Sequence, residues 1–107
     1  MQTIGSFFLE NDGGFVCQTG CMYINGDGGT GTDTNGGRIS VGTSEYYSPG
    51  DHGVQPNSPV QLYISIEAGS DRTGGSYFMW DPTATVSARY SISGTTLDSD
   101  VHFHGVS

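Results

Sequence analysis

The chain has 107 residues, eighteen of them glycine, and a formal net charge of -8, with Arg38, Arg72 and Arg89 as its only fixed cations. That length suits one domain with a single core (residues 1–107). A phosphate backbone demands several cationic contacts, so nucleic acid is excluded as a partner and anionic membrane is disfavoured, while zwitterionic lipid, neutral sugar, protein and metal cations stay open.

Met1 to Glu10 has no basic region and too short an apolar run for a signal peptide or a transmembrane segment. The expected location is therefore the cytosol, an unconventional export route, or the mature form of a secreted protein. Ile4 to Leu9 reads as a first strand. Glu10-Asn11-Asp12-Gly13-Gly14 then has hairpin-turn composition and leads into a second strand over Phe15 to Ile24. Cys17 and Cys21 lie in that run. Four residues of extended chain span roughly 13 Å, against the roughly 7 Å a disulfide tolerates, so two half-buried thiols are expected unless Gln18-Thr19-Gly20 folds back.

Asn25 to Gly37 has no apolar side chain beyond glycine and is expected as an exposed, mobile loop. Arg38 to Gly42 gives a short third strand, and Tyr46 to Ser58, with Pro49, Gly50, Gly53, Pro56 and Asn57, a second long irregular segment. Pro59 to Ala68 carries the clearest signal. Val60, Leu62, Ile64, Ile66 and Ala68 share one parity while Gln61, Tyr63, Ser65 and Glu67 share the other, the period-two pattern of a strand with one buried face. Ser76 to Trp80 is a further strand closed by Asp81-Pro82. Thr85 to Ser93 places Val86, Ala88, Tyr90 and Ile92 on one face against Ser87, Arg89 and Ser91, and Leu97 to Val106 alternates as well. No window has apolar residues at helical spacing and no internal repeat has a fixed period. About seven short strands separated by glycine turns predict an all-β fold, a two-sheet antiparallel β-sandwich with long glycine-rich loops.

Three constellations bear on chemistry. Gly28-Gly29-Thr30-Gly31-Thr32-Asp33 matches the start of a calcium-binding nonapeptide, but only once and with Asn35 where an apolar residue belongs, which leaves Asp27 and Asp33 as oxygen donors for a weak surface calcium site. Asp98, Asp100, His102 and His104 share one parity. The His-x-His pair can present two imidazoles to zinc or copper, with Asp100 or a distant His52 completing the shell, although period two alone also puts polar residues outward. Tyr46, Tyr47, Tyr63 and Trp80 form the third group, candidates for stacking on a sugar or lipid headgroup and equally candidates for core packing. Serine-hydrolase elbows, Walker loops and zincin motifs are absent, and acids without a spacing rule do not make a glycosidase, so the chain is read as non-enzymatic.

Gly74-Gly75-Ser76-Tyr77-Phe78-Met79-Trp80-Asp81-Pro82, followed by Ser87-Ala88-Arg89-Tyr90, resembles part of the aegerolysin-type sandwich over the last third of the chain. The resemblance implies a β-sandwich that recognises membrane lipid without catalysis, in some members as one part of a pore assembly; it transfers no binding residue, and Trp80 is the only tryptophan where that family has more. The resulting expectation is a recognition module for a glycan, lectin-like, or for a lipid headgroup, with residues 25–37 and 46–58 and Trp80 as the contact region. The alternatives are a protein that acts on a receptor by surface shape and a metal-binding protein using the His102/His104 face. An exposed sheet edge also allows a homodimer.

Overall fold

The computed structural model describes residues 1–107. Eleven strands and one 3-10 turn follow one another: β1 (Thr3–Ile4), β2 (Ser6–Asn11), β3 (Cys17–Ile24), β4 (Thr30–Asp33), β5 (Arg38–Ile39), β6 (Ser44–Tyr47), the turn Pro49–His52, β7 (Pro59–Ile66), β8 (Arg72–Thr73), β9 (Phe78–Trp80), β10 (Ser87–Gly94) and β11 (Ser99–Val106). One sheet runs β1-β9-β7-β3-β4, with β5 beside β3 and β8 beside β7; the other runs β11-β10-β2-β6. No helix is long and apolar enough to cross a membrane.

The two-sheet sandwich is the expected fold, but its pairing is mixed. The run read as one strand over Ile4 to Leu9 is divided between the sheets: β1 lies parallel to β9 in the first, and β2 parallel to β10 in the second. Gly5 is the crossing point. Its N–H donates to the Val86 carbonyl at 2.8 Å, and a Cβ there would fall 2.1 Å from the Ala84 oxygen, so only glycine lets the chain change layers at this spot. Alternation reveals which face of a strand is buried, not the direction of its neighbour, and the two parallel pairings therefore left no mark in the sequence.

β7 behaves as its pattern requires, burying Val60, Leu62, Ile64 and Ile66 in strict alternation. They meet Phe7 and Leu9 of β2 and Ala88, Tyr90 and Ile92 of β10 in one core, each large aliphatic side chain stabilising the fold by about 1.5–3 kcal/mol. Cys17 and Cys21 join that core as free thiols, fully rather than half buried. Burial pushes both up to about 11, because a thiolate there would lose its water. Asn11 is the polar member of the interior. Its Nδ2 donates to the carbonyls of Phe15 (2.7 Å) and Ile39 (3.0 Å) and its Oδ1 accepts from Gly13 N–H (3.0 Å), joining β2 to β5 of the other sheet.

Candidate functional site

The outer face of the four-stranded sheet follows from the same alternation. β2 sends Phe7 and Leu9 inward and Phe8 and Glu10 outward, β6 buries Tyr47 and exposes Tyr46, and β10 buries Ala88, Tyr90 and Ile92 beneath Arg89 and Ser93. Register sets Phe8 beside both Tyr46 and Arg89. The two rings stand 4.8 Å apart between centroids, and the Arg89 guanidinium carbon lies 5.1 Å from the Phe8 centroid and 5.8 Å from that of Tyr46. Arg89 Nε donates to Ser107 Oγ at 2.8 Å and Nη2 to the Tyr46 hydroxyl at 3.3 Å.

This arrangement fixes a cation without neutralising it. Arg38 is bound to the Glu67 carboxylate at 2.6 Å, and Arg72 is turned onto Ser99, whose Oγ it reaches at 2.9 Å. Arg89 instead lies over two rings and donates only to hydroxyls, leaving part of its N–H fork for an incoming oxyanion. Glu10, exposed and paired in register with Ser91, adds a carboxylate two residues along the same face. A group with separated positive and negative charges matches that pair of neighbours.

At the opposite side of β6 the two long connections are tied together. Tyr47 is buried, its hydroxyl donating to Asp33 Oδ2 at 2.7 Å and lying 3.6 Å from Cys21 Sγ. Burial is the main cause that raises the Tyr47 hydroxyl far above an ordinary phenol, and its bonds to Cys21 and Asp33 add to it. His52 stacks on the Tyr47 ring at 4.6 Å and places Nδ1 3.2 Å from the same Asp33 oxygen. Residues 25–37 are therefore not simply loose: they contain β4, paired with β3, and Asp33 anchors them to the 3-10 turn.

The four aromatic candidates do not converge. Tyr46 stands on the outer face just described. Tyr47 and Trp80 belong to the core, which corrects the expectation that they meet a ligand: Tyr47 closes the Asp33 network, and Trp80 lies beneath Gly50 of the 3-10 turn with its Nε1–H donating to the Gly5 carbonyl at 3.0 Å. Tyr63 is on the far side of the other sheet, where its hydroxyl donates to Asp71 at 2.5 Å; that bond is the main reason its acidity is lowered.

The metal candidates are likewise dispersed. His102 and His104 do share a face with Asp100, yet each imidazole leans back on β10, His104 Nε2 2.7 Å from Ser91 Oγ and His102 Nε2 3.4 Å from Ser93 Oγ. Asp27 accepts from Gly29 N–H at 2.8 Å, and Asp33 is held by Tyr47 and His52. No three His, Cys, Asp or Glu side chains gather where one zinc, copper or calcium ion would sit, because strand register and local turns give each a different partner. The Ser91–His104 contact has the length of a nucleophile–base pair, but no carboxylate orients the imidazole. A pocket of about 220 Å³ by Val16, Cys17, Gln18, Arg38, Ser65 and Glu67 has its two charges satisfied by each other.

No protein-family model matches the chain, and no curated protein does. Among solved structures it is similar to listeriolysin O, with 18% identity over 92% of this chain and 22% of that one and a TM-score of 0.51. It is similar to a Gram-negative toxin, with 18% identity over 94% of this chain and 22% of that one at 0.51, and to the membrane-binding domain of pneumolysin, with 16% identity over 94% of this chain and 96% of that one at 0.50. The chain spans about a fifth of the two toxins and nearly the whole of the isolated domain. At such identities the likeness is one of fold. The aegerolysin resemblance finds no family match, and what stands of it is its coarser content, an all-β sandwich fold.

Sequence reasoning missed Phe8, Glu10 and Arg89 as a group. Each was visible on its own strand, Arg89 on the polar parity of Thr85 to Ser93, but their meeting depends on the parallel β2–β10 pairing. A single arginine opposite an aromatic is no signal until register is known.

Proposed function

We propose that this chain is a non-catalytic membrane-recognition module that takes a zwitterionic phospholipid headgroup on the outer face of the β11-β10-β2-β6 sheet. One observation carries the reading: Arg89, fixed over Phe8 and Tyr46 and unpaired with any carboxylate, two residues from an exposed Glu10. The guanidinium receives the phosphate, Glu10 the ammonium, and the exposed Tyr46 ring the adjoining apolar atoms. The net charge of -8 repels anionic surfaces, so a headgroup without net charge fits best. The fold shared with the membrane-binding domain of pneumolysin supports the same reading.

Flotation with phosphatidylcholine vesicles tests it. Binding is expected for the native chain, with a loss of about tenfold or more for Arg89→Gln and for Tyr46→Ala, corresponding to one charge-assisted contact. Binding by both variants as strong as that of the native chain overturns the assignment of the face. Competition by a free neutral sugar, with vesicles bare of glycan remaining unbound, replaces the lipid reading with a lectin one.

A further inference from the structure

β11 ends the four-stranded sheet, and no strand pairs with its far side. Thr95 and Asp98 exchange both backbone bonds at the β10–β11 turn. In an antiparallel ladder bonded and non-bonded pairs then alternate, so Asp100 and His102 bond to β10 while the N–H and C=O groups of Ser99, Val101 and Phe103 point away from it. The Ser99 carbonyl confirms that direction by accepting Arg72 Nε of β8 at 3.3 Å from outside the sheet. The edge carries neither lysine nor proline, and its guards, the bulge at His104 and the Arg72 contact at Ser99, sit towards its two ends and leave Val101 and Phe103 open between them.

The side chains along this edge have a self-complementary order. Asp98, Asp100, His102 and His104 lie on one side. Reversed about Val101, that series sets Asp100 opposite His102 and Asp98 opposite His104, each twice by symmetry. The same alignment sets Val101 opposite Val101 and Ser99 opposite Phe103; the backbone groups of Val101 and Phe103 are free, while the Ser99 carbonyl keeps its bond from Arg72. Sliding by one pair in either direction puts Asp100 against Asp100 or His102 against His102. A neutral imidazole N–H already donates to a carboxylate, so the match does not require charged rings. On the inward side Phe103 is 51% exposed although it packs on Phe78 and Tyr90, at 5.9 and 5.1 Å, and Val101 is only half buried; a neighbouring strand covers both.

We infer that β11 is a homodimer seam, in which a second copy of this chain pairs antiparallel about Val101 with Asp100 facing His102 across the two-fold axis. That axis stands perpendicular to the sheet, so the two outer faces carrying Arg89 point the same way. The seam itself does not rest on the lipid reading; if that reading holds, the paired faces gain avidity on a surface.

Sedimentation velocity of the full chain in EDTA, without vesicles, tests the seam. A dimer with a Kd below about 100 μM is expected. Asp100→His, which places imidazoles opposite each other, weakens it about tenfold or more, and Asp100→His combined with His102→Asp restores it, because the exchanged order is again self-complementary. Val101→Pro, which removes an N–H that β10 does not use, abolishes it while the far-ultraviolet dichroism of the monomer is retained. A monomer throughout, failure of the double exchange to recover, or assembly only on adding zinc overturns the proposal.

Discussion

Tyr47 and Tyr90 both point into the core from the same sheet, yet their hydroxyls are treated differently. Tyr47 O–H donates to Asp33, which also holds His52, so the side of the sandwich formed by β6, β3 and β4 is laced by polar contacts between the layers. The Tyr90 hydroxyl is buried without a partner, on the side where β10 and β11 face β8 and β9 and where Phe103 remains half exposed. One flank is sealed by hydrogen bonds and the other is held mainly by apolar contact. Apart from the Arg72 bonds to Ser99, the second flank leaves Val101 and Phe103 where another molecule can be added.

Alkali should produce the largest effect on both flanks. Cys17 and Cys21 are raised to about 11 and Tyr90 to about 12, all by burial, and Tyr47 is raised as well. Below about pH 8 these groups are protonated in folded and unfolded chains alike and make stability independent of pH. Above it the unfolded chain releases protons that the folded chain retains, so stability falls as pH rises towards 11. Urea midpoints measured from pH 7 to 11 should hold steady and then decline; a midpoint that stays level to pH 11 contradicts the burial of these groups.

Asn11→Ala comes next. It strips the Phe15 and Ile39 carbonyls and the Gly13 N–H of their buried partner on the sealed flank, with an expected loss of about 3 kcal/mol in urea unfolding. The tyrosine pair gives the smallest and most discriminating result. Tyr47→Phe should cost about 1 kcal/mol, whereas Tyr90→Phe should lie within about 0.5 kcal/mol of the native chain or be stabilising, since it deletes an unsatisfied hydroxyl. Equal losses from the two changes erase the distinction between the flanks.

The legible parts of this fold were those in which one face must be greasy. β7 and β10 were readable from Val60 to Ile66 and from Ala88 to Ile92 because burial acts on every second side chain. β4 was not, since Thr30-Gly31-Thr32-Asp33 has nothing to bury: backbone pairing with β3 makes it a strand, and Gly20 permits the close crossing, as a Cβ there would fall 1.8 Å from the Asp33 oxygen. Tyr47 and Trp80 looked like ligand residues because composition says nothing of the Asp33 carboxylate and Gly5 carbonyl that satisfy their polar ends. Of the aromatics singled out, Tyr46 alone joins the cluster on the outer face, and its companions come from strands distant in sequence.

The Gly5 crossover has a mechanical corollary. Since adjacent residues of one short segment are stitched lengthwise into both layers, β1 along β9 and β2 along β10, tension applied at the amino terminus shears the two ladders in turn. The two pairs of β1 bear the load before the six of β2, so the first sheet lets go of the segment before the second does.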